Sequence, residues 1–458
     1  MYSTKCTPFG LFSVEFAHTG LSGPLICIKV IIYGKVCSVH VKIKSELLIE
    51  IEVLLLSKVK FIHAADLHLD TPFSGLKDLP LAILKELRES PFKAFQKIIN
   101  EAIYHRVDFI VLSGDLFDGE NRSLRTQVRF RTEMEKLEQH QIPAYIIHGN
   151  HDHLSGSWIT VKLPDNVYVF SGQTEVKLFE KTDGTTVHLY GFSYPRRHVR
   201  ERMIETYIKA EGADYHIGLL HGNLEGNSEH SPYSPFSLKE LAAKDFDYWA
   251  LGHIHKHQVV SEDPLVIYSG NIQGRNRKES GVKGCLLVEL DGDTKRHSFI
   301  ETSEVIWDSV TIKPSADGGF DALFKQCREV IEQKGFDGRS YLLEVKLDVG
   351  GAADAYGEYL EELTRILQEE EQGESFVWVY KIKVIQSVTM IRTNERLSPF
   401  MAEVSMLASE FDDTEAALAP LYNLPGARRY LDAIEFDEQR ELLDEAESWL
   451  LHVFEPNK

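Results

Sequence analysis

From Val59 onward one local pattern recurs: a short run of β-branched and aromatic residues ends in Gly, Asp or Asn, and a helix-forming or loop stretch follows. This alternation is the mark of α/β layering, because strands covered on both faces read as continuous apolar runs rather than as polar–apolar alternation. It predicts strands at Val59–Ala65, Val107–Ser113, Pro143–His148, Val187–Phe192, Tyr215–Leu220, Tyr248–Gly252, Val266–Ser269 and Gly284–Leu290. Amphipathic helices are expected over Pro91–Arg106 and Ser123–Gln139. Such a chain must build a layered sheet structure, and chemistry in such structures collects at the strand ends.

The rhythm does not cover the whole chain. At 458 residues, two or three domains are expected. Residues 1–57 are strand-prone fragments with scattered glycines and no helix, read as either an appended segment or a mis-assigned start just before Val59. Residues 58–301 carry the α/β pattern. Residues 302–390 change to strand, helix, strand, helix, strand, a small α+β accessory or capping domain, and 391–458 read as a helical tail with Leu431, Ile434, Leu442, Ala446 and Leu450 at helical spacing.

Charge and cysteine usage narrow the classes further. The net charge of -20 argues against wholesale coating of nucleic acid. Residues 351–458 contain 23 acidic against 9 basic side chains, so 14 of those charges sit in the last quarter and the α/β region is nearer neutrality. Cys6, Cys27, Cys37, Cys285 and Cys327 form no Cys-x-x-Cys pair, which points to a reducing cytoplasm and excludes a zinc finger. The apolar stretch Leu21–Val39 is broken by Lys29 and Lys35, too short for a membrane span and unlike a secretory signal.

Five short motifs stand at or just past the ends of expected strands: Asp66-x-His68, Gly114-Asp115-x-x-Asp118, Gly149-Asn150-His151-Asp152, His221-Gly222 and Gly252-His253-x-His255. Each is weak alone, since 19 histidines produce a stray His-x-His easily. Their order, each after a strand with glycine at the turn, is informative. Carboxylate, imidazole and amide oxygen without thiolate suit Mn²⁺, Fe²⁺ or Zn²⁺ rather than an oxygen-only Ca²⁺ cage. Two such ions need a bridging anion, and a remaining imidazole can protonate a departing oxygen near neutral pH.

This ordered set resembles the calcineurin-like metallophosphoesterase superfamily over roughly Val59–Glu301. His63-Ala64-Ala65-Asp66-Leu67-His68, Gly114-Asp115-Leu116-Phe117-Asp118 and Gly149-Asn150-His151-Asp152 are most similar to the SbcD branch of DNA repair nucleases, and the whole chain to its YhaO-type members. The resemblance implies two mixed β-sheets in a sandwich flanked by helices. It also implies two divalent ions, Mn²⁺ first among them, with Asp66, His68 and His255 on one, Asn150, His221 and His253 on the other, and Asp115 bridging. His151 would be the general acid and Asp118 would orient its ring. DNA is the implied substrate and a coiled-coil ABC-type (SMC-like) ATPase the implied partner, docked on the C-terminal helices. A homodimer is left open.

Arg196, Arg197, Arg200 and Arg202, and Arg275, Arg277 and Lys278, are two basic clusters suited to a phosphate backbone. Arg122, Arg125 and Arg129 read as a solvated helix face instead. His63 and His148 are expected to be packed, hydrogen-bonded residues, Asp152 to hold its own loop, and Cys285 and Cys327 to be buried. The rival readings are a protein phosphatase or small-molecule phosphodiesterase, and a metal-free scaffold with the same fold. Protein phosphatases of this superfamily carry Arg and Glu where this chain has Gly119 and Asp152, and no expected ligand is missing.

Overall fold

Strands whose two faces are both apolar can only sit in the middle of a layered structure, and here they form two six-stranded sheets stacked on each other. The computed structural model describes residues 58–385, except 70–72, 74–75, 77–78, 119–121, 157–160, 226–232, 315–318, 350–358 and 370–374. It also describes four strands before residue 55 and isolated helical positions between 403 and 446. The helical tail expected over 391–458 lies outside the described residues apart from those positions. Strands β1 (Phe12–Ala17), β2 (Leu25–Ile32), β3 (Lys35–Ile43) and β4 (Ile49–Leu54) pair in sequence as an antiparallel meander.

Strands β5 (Lys58–Ala64), β6 (Phe109–Ser113), β7 (Ala144–Ile147) and β8 (Val167–Val169) run parallel to one another. Helix α1 (Leu81–Tyr104) crosses from β5 to β6, and α2 (Leu124–Gln139) from β6 to β7. The facing sheet takes its strands from the next stretch of chain. These are β9 (Glu175–Glu180), β10 (Thr186–Gly191), β11 (Tyr215–His221), β12 (Tyr248–Gly252), β13 (Gln258–Glu262) and β14 (Leu265–Tyr268), in the order β13-β14-β12-β11-β10-β9, with the short helix α3 (Leu238–Ala243) between β11 and β12. Strands β15 (Gly284–Asp291) and β16 (Thr294–Glu301) return to the first sheet, β15 antiparallel to β5. The fold is therefore two mixed sheets flanked by helices.

Side-chain alternation explains the layers. Phe61, Phe109, Val111, Ile147 and Val288 point between the sheets and meet Leu189, Leu219, Ala250 and Ile267 from the other side. Their neighbours Ile62, Ala64, Ile110 and Leu112 face outward and pack on Phe95, Ile98 and Ile99 of α1 and Phe130 and Met134 of α2. The edge strands β9 and β16, with alternating exposure, escaped the sequence reading because their polar faces dilute the apolar signal.

Beyond residue 301, β17 (Val305–Ile312), β18 (Ser340–Asp348) and β19 (Val377–Ile385) form a parallel sheet in that order, crossed by α4 (Phe320–Gly335) and α5 (Leu360–Gln368). One face packs on α4 and α5; the other, with Trp307, Leu342 and Trp378, packs on Ile83 and Leu87 of α1. Helix α1 thus begins ten residues before Pro91, which the sequence had marked as its start. Proline removes the donor that would reach the Leu87 carbonyl, but Ser90 Oγ donates to that carbonyl at 2.8 Å, so the helix runs on.

Candidate metal centre

The expected site residues lie on loops at one end of the sandwich, following β5, β6, β7 and β12, with His221 as the last residue of β11. Backbone bonds join the first two loops: Asp66 N–H donates to Gly114 O, His68 N–H to Asp115 O and Leu69 N–H to Leu116 O, at 3.0, 3.0 and 3.1 Å. Asp66, His68, Asp115 and His253 all adopt positive φ, 52°, 44°, 51° and 98°. Non-glycine residues in that region are strained by about 1–3 kcal/mol each and persist only where the surroundings hold them. Here the ladder holds three, and both Asp66 carboxylate oxygens accept from His253 N–H at 3.1 Å. At Gly149 a Cβ would lie 2.3 Å from Asp115 Oδ1 and 2.7 Å from His221 Nε2, so only glycine lets the third loop close on the site.

Three groups of donor atoms result, each with all its ligand atoms within 4.8 Å of one another: Asp66, His68 and His255; Asp115, His221 and His253; and His68, Asp118 and His151. Asn150 Oδ1 joins the second, 3.1 Å from His221 Nε2 and 3.2 Å from His253 Nδ1. His68 Nε2, 3.9 Å from Asp115 Oδ2, links the first two groups.

Hydrogen-bond accounting shows that these donors suit cations. His221 Nδ1 lies 3.0 Å from the Ser113 carbonyl and must donate to it, which leaves Nε2 bare unless a second proton is taken up. That atom faces Asn150 Oδ1 and Asp115 Oδ2, the latter at 3.3 Å. Likewise His255 Nδ1 donates to Glu279 Oε1 at 2.8 Å and turns Nε2 toward His68 Nε2 at 3.2 Å. The buried His68 Nδ1 has no hydrogen-bond partner among the described residues. Acceptors converging on acceptors need a proton or a metal between them.

Without a metal, protons take that place. Burial opposes charge on His221, but the Asp115 carboxylate and its hydrogen bond overcome it and raise the imidazole to about 9. Burial would also raise Asp115, yet His221 holds it well below the usual carboxylate range. Asp66 is raised, chiefly by burial. Burial, with Arg275 and His255 nearby, keeps His68 neutral, the form that coordinates metal.

His151 sits beside this pair, its ring 5.0 Å from that of His68. Its Nδ1 bonds Asp118 Oδ1 at 2.6 Å and its backbone N–H donates to Asp115 Oδ1 at 2.9 Å. Burial works against the imidazolium, but the bond to Asp118 and the charges of Asp115 and Asp118 raise its pKa on balance. The neighbouring residues behave structurally. Asp152 accepts from Gly149 N–H, Leu116 N–H and His148, and His63 is buried between Tyr248 OH and the Leu251 carbonyl. Cys285 and Cys327 are buried.

The basic clusters divide. Arg197, Arg200 and Arg277 are exposed, and Arg196 is exposed but paired with Glu201. Arg202 is committed to Glu225 and Glu240, and so braces the capping box that starts α3. Arg275, expected on a DNA-facing surface, is turned inward: 12% of its side chain is exposed and it pairs with Glu279 at 3.1 Å. Arg129 lies on the Phe92 ring and pairs with Glu89, while Arg122 donates to the Asp152 carbonyl. Sequence reasoning overlooked Glu279. Its spacing of four from Arg275 was the available signal, masked by the basic residues between them.

The chain is similar to several known proteins. The family pattern described as calcineurin-like phosphoesterase matches residues 59–257. The uncharacterized metallophosphoesterase YhaO of Bacillus subtilis is 37% identical over 403 residues, covering 86% of this chain and 97% of that protein. The DNA double-strand break repair protein Mre11 of Methanocaldococcus jannaschii is 27% identical over 54% of this chain and 66% of its own length. A dimetal phosphatase from Danio rerio aligns with a TM-score of 0.30 at 12% identity, over 54% of this chain and 99% of the other. With nearly the full length of one metallophosphoesterase matched, and with the motif residues gathered at one end of the two sheets, the chain belongs to the calcineurin-like phosphoesterase family.

Proposed function

We propose that this protein hydrolyses DNA phosphodiesters with two divalent ions, Mn²⁺ in the first instance, in DNA repair or end processing. The observation that carries the reading is the juxtaposition of two cation-ready donor groups with a third, His151 and Asp118, that can manage a proton. Asp66, His68 and His255 would hold one ion, Asn150, His221 and His253 the other, and Asp115 would serve both. Bound there, the pair supplies Lewis-acid polarisation and charge neutralisation at phosphorus. His151, its Nδ1–H directed to Asp118, carries its mobile proton on Nε2 and delivers it to the departing oxygen. DNA as substrate is supported by the Mre11 likeness and by exposed Arg197 and Arg200, whose charges act on Tyr233, a ring 5.2 Å from that of His253. Residues 391–458 are the proposed docking segment for a coiled-coil ATPase, and the cytoplasm is the proposed location. None of the described helices is long and apolar enough to cross a membrane.

The test is purified protein with end-labelled single- and double-stranded DNA and a chromogenic phosphodiester, each with Mn²⁺, Mg²⁺ or chelator. Metal-dependent cutting of DNA is expected. Turnover of the chromogenic ester alone would reject DNA as substrate while leaving the phosphoesterase chemistry intact.

A further inference from the structure

The two halves of the metal centre are supported differently, and the difference isolates one unassigned residue. Behind the second group, His221 Nδ1 rests on a backbone carbonyl, that of Ser113. Behind the first, His255 Nδ1 meets a buried carboxylate, Glu279, which is 8% exposed. Both Glu279 oxygens are engaged: Oε1 accepts from His255 Nδ1 and Arg275 Nη2, and Oε2 from Arg275 N–H at 2.7 Å and Asn271 Nδ2 at 2.8 Å. Arg275 Nη2 also lies 3.2 Å from His255 Nδ1 itself. An imidazole nitrogen cannot both donate to a carboxylate and accept from a guanidinium. With Glu279 at 2.8 Å, Nδ1 carries the proton and Nε2 offers a lone pair toward His68. With only Arg275 as neighbour, Nδ1 would become the acceptor, and the proton would move to Nε2, pointing into the metal site.

We propose that Glu279 is a positioning residue that selects the metal-binding tautomer of His255 against the opposing pull of Arg275. This rests on the two-ion reading above. A carboxylate partner also strengthens the imidazole as a donor, and losing such partners typically lowers metal affinity by about 10–100-fold. Glu279→Ala should therefore weaken one of two Mn²⁺ binding events by that factor and leave the other within about twofold, as read by calorimetric titration. Glu279→Gln, whose amide oxygen can still accept from Nδ1, should fall between. Arg275→Ala added to Glu279→Ala should recover part of the loss, which a role confined to packing would not produce.

A metal-independent arm keeps the two readings apart. Nitrogen-15 spectra of the metal-free protein should show His255 as the Nδ1–H tautomer in the wild type and as Nε2–H in Glu279→Ala, with circular dichroism confirming that both are folded. Unchanged Mn²⁺ affinity in folded Glu279→Ala, or an unchanged tautomer, overturns the inference. A wild type that binds no ion refutes the two-ion reading instead, and the spectra still decide the role of Glu279.

Discussion

The loops around the metal centre and the parallel sheet of residues 305–385 are built from the same elements yet obey opposite rules. In the sheet, described backbone outside glycine stays at negative φ, and Trp307, Leu342, Leu343 and Leu347 are buried among other apolar side chains. In the loops, four residues hold positive φ and buried polar atoms face one another. The sheet is organised by burial, which any well-fitted apolar residue satisfies. The loops hold strain and electrostatic conflict that the rest of the sandwich must overcome, as expected where backbone is arranged for chemistry rather than stability.

Breaking the loops and breaking the sheet should accordingly give different phenotypes. The largest effect is expected from Asp115→Ala: ester hydrolysis falls below detection and titration with Mn²⁺ no longer gives two binding events. Next, His151→Asn should lower kcat by about 10²–10⁴-fold at unchanged metal content; wild-type turnover by that variant would remove His151 from the reaction. On the other side of the comparison, Trp307→Ala should cost about 3–5 kcal/mol in denaturant unfolding of that region while folded protein keeps its metal.

A pH series sharpens the contrast. The folded-state pKa of His221 lies above its ordinary 6.5, so the stability contributed by its pairing with Asp115 is complete below 6.5 and is lost as pH rises through about 9. Thermal melts of metal-free protein should therefore fall across that window. Saturating metal, which replaces the proton, should flatten the profile, and a metal-free protein with no such fall would contradict the pairing. The smallest effect is expected from Ser90→Ala, about 1 kcal/mol, because it strands the Leu87 carbonyl beside Pro91.

Much of the site was legible because its residue types have no bland explanation: four histidines at or just past strand ends, with glycines between, do not follow from turn chemistry. Helix α2 was equally legible, since Ser123 caps it by accepting from Thr126 N–H at 3.1 Å. Helix α1 was read short, because Pro91 marked its start although Leu81–Ser90 is already rich in helix formers, with Ile83 and Leu87 placed to pack on the sheet of residues 305–385. Arg275 shows its charge plainly in the chain, but not its inward turn: Glu279 lies only four residues on, while His255 reaches it from a different loop.

Periodicity and motif order, which are local properties, were enough to specify the layered fold and to gather Asp66, His68, Asp115, Asn150, His151, His221, His253 and His255 at one edge. Which imidazole nitrogen faces the site, which arginine turns inward and what the first turns of α1 pack against were decided only in three dimensions. Each depends on a partner distant in the chain, Ser113 for His221, Glu279 for His255, His255 for Arg275, Trp307 and its neighbours for α1, and no local pattern encodes the distance at which a hydrogen bond or an apolar contact forms.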